Sequence, residues 1–82
     1  MIVLLSYRES DVLITDEVGG RIKEIRLSKL LSQEKLALKA GLDRTYLAGV
    51  ESGRRNISVK SLEKIIHALD TSFKDFFYTM GE

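Results

Sequence analysis

Residues 32–41 read SQEKLALKAG and residues 42–58 read LDRTYLAGVESGRRNIS. Ser32 is a good helix N-cap, and the spacing of Leu36, Ala37 and Ala40 predicts a short helix with those three residues inward. Gly41 ends it, because glycine takes positive φ without steric cost. Asp43 is the next N-cap, and Arg44 to Ser52 reads as a second helix with Leu47 and Val50 inward, stopped by Gly53. Two helices joined by Gly41, Leu42 and Asp43 alone must cross steeply, since so short a link cannot return the chain antiparallel. A small residue is then needed where they touch, and Ala37 stands there. The second helix opens with Arg44, Thr45 and Tyr46 and is followed by Arg54, Arg55 and Asn56. That concentration of long hydrogen-bond donors on one short segment calls for a functional reason.

Outward from this pair the helical period continues. Val18, Ile22, Ile25 and Leu30 predict a first helix from about Asp16 to Lys29. Gly19 and Gly20 inside it each cost about 1 kcal/mol relative to alanine, so close packing against a neighbour is expected there. Ser58 caps a fourth helix with the stripe Val59, Leu62, Ile65, Ile66 and Leu69. Ser72 with Asp75 resembles a capping box for a last short helix striped by Phe73, Phe76, Phe77 and Met80. Residues 1–15 (MIVLLSYRESDVLIT) hold two short aliphatic runs and read as a short extended N-terminal arm. The expected architecture is all-α, five compact helices over residues 16–82 preceded by the arm at 1–15.

At 82 residues with no cysteine, neither a disulfide nor a thiolate metal site can stabilise the chain, and gaining burial by dimerisation is plausible. The net charge of +1 hides an uneven distribution. Residues 21–64 carry eleven Lys/Arg against five acids, a net +6, while residues 1–20 carry −3 and residues 65–82 carry −2. A basic centre between acidic ends is the footprint of a polyanion partner, although a solvated charged surface would give the same pattern. Residues 2–5 (IVLL) are too few to span a membrane and lack a basic leader, so a soluble cytoplasmic protein is expected. His67 is the single histidine, no carboxylates have metal-site spacing, and the serines read as caps. Catalysis, a cofactor and a metal are therefore not expected.

Gln33, Ala37, Gly41, Leu47 and Val50 have the spacing of a DNA-binding helix-turn-helix. With VGGRIKEIR at 18–26, SQEKLALKAGL at 32–42 and VESG at 50–53, the chain from Val18 to Phe77 resembles the Cro/phage-repressor type helix-turn-helix family. Within that family, LDRTYLAGVESGRRNIS is most similar to the controller proteins of restriction–modification systems. The resemblance implies a homodimeric, sequence-specific regulator binding a double-stranded, pseudo-palindromic DNA operator. It also implies a structural ion pair between Arg26 and Glu51 beneath the recognition helix. Two departures stand out. Leu30 occupies a position where relatives usually carry glycine, and Gly49 falls where several relatives place a base-reading side chain.

In this docking mode Arg44, Thr45 and Tyr46 approach base edges, Arg44 able to donate twice to guanine O6 and N7. Ser32 and Gln33 open the preceding helix, whose positive end faces a phosphate. Arg54, Arg55 and Asn56 would hold the backbone or enter the minor groove, and Lys60 and Ser61 would add a phosphate contact. The apolar residues Ile66, Phe73, Phe76, Phe77 and Tyr78 exceed what so small a core encloses and are assigned to a two-fold interface. Competing readings are a phage-type repressor, an antitoxin-like regulator that also binds a protein, and a purely protein-binding helical module.

Overall fold

The computed structural model describes residues 16–78; the arm assigned to residues 1–15 and Met80 of the last stripe lie outside the described residues. Helix α1 occupies residues 16–28 of the described chain. It is followed by α2 (Gln33–Ala40), α3 (Arg44–Glu51), α4 (Val59–Ala68) and α5 (Phe73–Phe77). Every regular element among the described residues is helical, and no described helix is long and apolar enough to cross a membrane.

The core forms where the predicted stripes converge. Ile22 of α1, Leu36 of α2, Leu47 and Val50 of α3, Ile65 and Ile66 of α4, Leu69 and Phe76 are its largest fully buried side chains. Helix α2 is central, packing on both α3 and α4. The turn from α2 to α3 is built as its residues dictate. Gly41 takes φ 69°, ψ 35°, and the Leu42 N–H reaches the Ala37 carbonyl at 2.9 Å. Asp43 then caps α3, its side chain accepting from the Thr45 N–H at 3.4 Å. The Ser32, Ser58 and Ser72 hydroxyls accept from the N–H of Lys35, Ser61 and Asp75, so each predicted serine cap is present.

Several side chains depart from the stripes. Leu30 is 92% exposed rather than core, and it takes φ 58°. It closes α1 in the left-handed conformation that glycine usually supplies, with the Leu31 N–H bonded to the Arg26 carbonyl at 3.1 Å. Val59, at the first position of α4, is exposed, because the buried stripe of that helix begins at Leu62. Of the paired glycines in α1, only Gly19 has the packing reason expected. A Cβ there would fall on the carbonyl oxygen of Val50, so the glycine lets α1 lie directly against the α3 backbone. Gly20 faces open space.

Leu30 gives a direct test. A left-handed non-glycine residue costs about 1–2 kcal/mol, partly offset by the extra unfolded-state entropy of glycine. Leu30→Gly is therefore expected to stabilise the protein by about 0.5–1 kcal/mol in urea denaturation. A destabilised variant would show that the exposed leucine makes contacts worth more than the strain.

Helix α5 has five residues, too few to be stable by itself. It is fixed by Phe76, fully buried, and by Arg21 of α1. The Arg21 guanidinium donates to the Phe76 carbonyl at 2.7 Å (Nε) and the Asp75 carbonyl at 2.8 Å (Nη2), and pairs with Glu24 at 3.0 Å. A cation thus satisfies carbonyls at the C-terminal end of the helix, where the dipole also favours it. The burial of Ile66 and Phe76 corrects their assignment to a two-fold interface: both are 0% exposed inside the chain's own core and offer a second copy no surface. Phe73, Phe77 and Tyr78 remain exposed at 42%, 37% and 71%.

Candidate nucleic-acid interface

Arg44 and Thr45 stand exposed on the first turn of α3, held there by the Asp43 cap. Among the described residues no hydrogen bond or ion pair holds the Arg44 side chain, so its donors are available to a ligand.

What fixes the direction of α3 lies beneath it. Arg26 of α1 and Glu51 at the end of α3 form a two-bond pair, Nε to Oε2 at 2.7 Å and Nη2 to Oε1 at 3.0 Å. Their side chains are only 7% and 3% exposed. The remaining Arg26 nitrogen donates to the Leu31 carbonyl at 2.7 Å, and the Gln33 amide donates to Glu51 Oε1 at 3.0 Å. The Arg26–Glu51 pair therefore ties α1, the α1–α2 turn, α2 and α3 together. No buried side-chain nitrogen or oxygen among the described residues is left without a partner. Gln33, expected at a phosphate, is instead half-buried with its amide committed to Glu51, while Ser32 is exposed and committed as the α2 cap.

Tyr46, expected beside Arg44 and Thr45 at base edges, does not share their exposure. Its ring is half-buried and packs against the core. Its hydroxyl accepts from the Ser58 N–H at 3.3 Å and also hydrogen-bonds Ser61. Burial alone would raise the phenol's pKa. The hydrogen bonds with Ser61 and Ser58, with the positive charge of Arg55, outweigh that and bring it below its ordinary value. Tyr46 thereby bridges α3 to the start of α4. Arg55 reaches back from the loop with its guanidinium carbon 5.2 Å from the centre of the Tyr46 ring, within cation–π range. Arg54 is exposed, its Nε bonded to the Ser52 hydroxyl at 3.2 Å. Asn56 and Lys60 are exposed and Ser61 is half-buried.

The predicted residues therefore fall into distinct groups. Arg44 and Thr45 are presented at the helix start. Tyr46, Arg55 and Ser61 come together through contacts. Ser32, Arg54, Asn56 and Lys60 lie exposed, and Gln33 belongs instead to the buried network with Arg26 and Glu51. Neither the Arg55–Tyr46 stack nor Arg21 as the α5 cap is visible in residue spacing, since neither contact lies at a helical period.

Two short helices around a left-handed glycine, the second capped and bearing free donors, define a helix-turn-helix domain. The helix-turn-helix family model matches residues 22–76. The control protein C.BamHI of Bacillus amyloliquefaciens is 47% identical over 66 residues, which span 77% of this chain and 82% of that protein. The restriction-modification controller protein C.AhdI from Aeromonas hydrophila is 43% identical with a TM-score of 0.74, covering 83% of this chain and 98% of that one. The restriction-modification controller protein C.Esp1396I, solved as a tetramer in complex with its natural 35 base-pair operator, is 47% identical with a TM-score of 0.76. That match covers 78% of this chain and 84% of the other. The chain belongs to the helix-turn-helix family and, within it, to the control proteins that these relatives represent.

Proposed function

We propose that this protein is the controller of a restriction–modification system, a cytoplasmic transcriptional regulator that binds a pseudo-palindromic DNA operator as a homodimer and performs no catalysis. The observation that carries this reading is the pair of exposed donors, Arg44 and Thr45, on a helix whose orientation is locked by the buried Arg26–Glu51–Gln33 network. A base-reading side chain discriminates only if its helix is held in register with the groove. The operator complex of C.Esp1396I supports the choice of ligand. Charge supports it too, because residues 21–64 carry a net +6.

Phe73, Phe77 and Tyr78, exposed on and beside α5, are the side chains this reading assigns to the two-fold contact. A dimer formed there would carry two α3 helices, separated on the operator by about one DNA turn, roughly 34 Å. Arg44 is assigned to a guanine edge, Thr45 to a neighbouring base or phosphate, and Arg54, Asn56 and Lys60 to the phosphate backbone.

Selection from random duplex DNA followed by titration at several salt concentrations tests the reading. A palindromic sequence is expected to be enriched. On it, Arg44→Ala should cost about 1–3 kcal/mol per half-site and relax specificity at one base pair of each. A selection that enriches nothing, or an Arg44→Ala variant that binds like the parent, would overturn the assignment.

A further inference from the structure

Gly49 lies inside the eight-residue helix α3, where glycine weakens a helix, and it is buried rather than facing solvent. The side chain of Arg55 fills the space above it. A Cβ on Gly49 would stand 3.1 Å from both Cγ and Cδ of Arg55, closer than side chains ordinarily pack. The Gly49 carbonyl also gathers the loop, accepting from the Arg54 N–H at 2.9 Å, the Arg55 N–H at 3.1 Å and the Ser52 hydroxyl at 3.0 Å. Beyond Gly49 the Arg55 guanidinium rests on the Tyr46 ring, which the core and Ser58 hold in place.

We propose that Gly49 and the ring of Tyr46 form a seat that fixes Arg55 against the recognition helix, making this loop arginine a preorganised specificity residue beside Arg44 and Thr45. The proposal rests on the operator-binding reading above. A guanidinium stacked by its face keeps its in-plane N–H donors for a phosphate or a base edge. An arginine on a free loop loses its side-chain freedom on binding, whereas a seated one has already lost much of it in the free protein. Gly49 thus takes part in reading DNA through the side chain it lacks. Tyr46 is a positioning residue acting through Arg55.

The test is a double-mutant cycle, read by fluorescence anisotropy on the duplex selected with the wild-type protein, with thermal melts of every variant. Gly49→Ala is expected to leave the melting temperature unchanged or raise it, because alanine favours helix, while weakening binding about five- to tenfold by unseating Arg55. A merely structural role would move both in the same direction. Tyr46→Leu should weaken binding in the wild-type background and add nothing in an Arg55→Ala background, whereas Tyr46→Phe keeps the ring and the coupling. If Tyr46→Leu fails to fold, Gly49→Ala combined with Arg55→Ala supplies the same cycle.

Losses that add, or a Gly49→Ala protein that binds like wild type, overturn the seat. In that case a selected palindrome that still responds to Arg44→Ala leaves the regulator reading standing. If the wild-type protein selects no sequence, both fall together.

Discussion

Alanine in place of Arg26 is expected to destabilise this protein by about 3–5 kcal/mol, a large share of what a small domain possesses. Removing the guanidinium strands the Glu51 carboxylate, 3% exposed, with the Gln33 amide as its one remaining side-chain partner among the described residues. The Leu31 carbonyl loses its 2.7 Å donor at the same time. The size of the effect comes from desolvation: a buried charge is tolerable as a pair and costly alone. Replacing both partners with apolar residues, Arg26→Met with Glu51→Leu, should therefore recover much of the loss. Urea denaturation of the single and double variants decides the matter. A single variant within about 1 kcal/mol of wild type would mean that water reaches Glu51 and the pair behaves like a surface salt bridge. The double variant carries a second expectation. With the link between α1 and the end of α3 gone, it should bind DNA more weakly even where it folds.

Phe76→Ala is expected to cost about 3–5 kcal/mol and to abolish self-association together with it. The ring is 0% exposed and meets Phe77 edge to face, with centroids 4.9 Å apart. Without it the five-residue α5 retains its Ser72 cap and its Arg21 contacts but no buried side chain. Phe73, Phe77 and Tyr78 would then lose the scaffold that presents them. Phe77→Ala separates the two effects, because that ring is 37% exposed and contributes less to the monomer. It should retain most of the folding stability while shifting sedimentation equilibrium toward monomer. If Phe77→Ala and Tyr78→Ala both leave the association state unchanged, the two-fold contact lies elsewhere.

The contrast between Phe76 and Phe77 also marks what a stripe of aromatic residues conveys. Helical spacing identified both as apolar positions of one short helix, but it carries no information on which faces inward and which outward. That division depends on where α1 and α4 lie, and hence on contacts between residues as far apart as Arg21 and Phe76. The burial of Ile66 has the same origin. At the other extreme, Ser32, Asp43, Ser58 and Ser72 cap the helices they were expected to cap, because a cap bonds a backbone N–H two or three residues ahead and needs nothing distant.

The helical class, the order of the helices, the left-handed turn at Gly41 and the exposed donors at the start of α3 are legible in the chain. Each of these follows from local backbone preference or from the helical period. Packing sets Leu30 in an open left-handed turn, Gln33 on Glu51, Arg21 at the end of α5 and Arg55 back across Gly49 onto Tyr46. These are arrangements of long, flexible polar side chains and of one strained backbone position. Their energies depend on neighbours brought close by packing, so they are settled after the helices have met and leave no periodic trace in the chain.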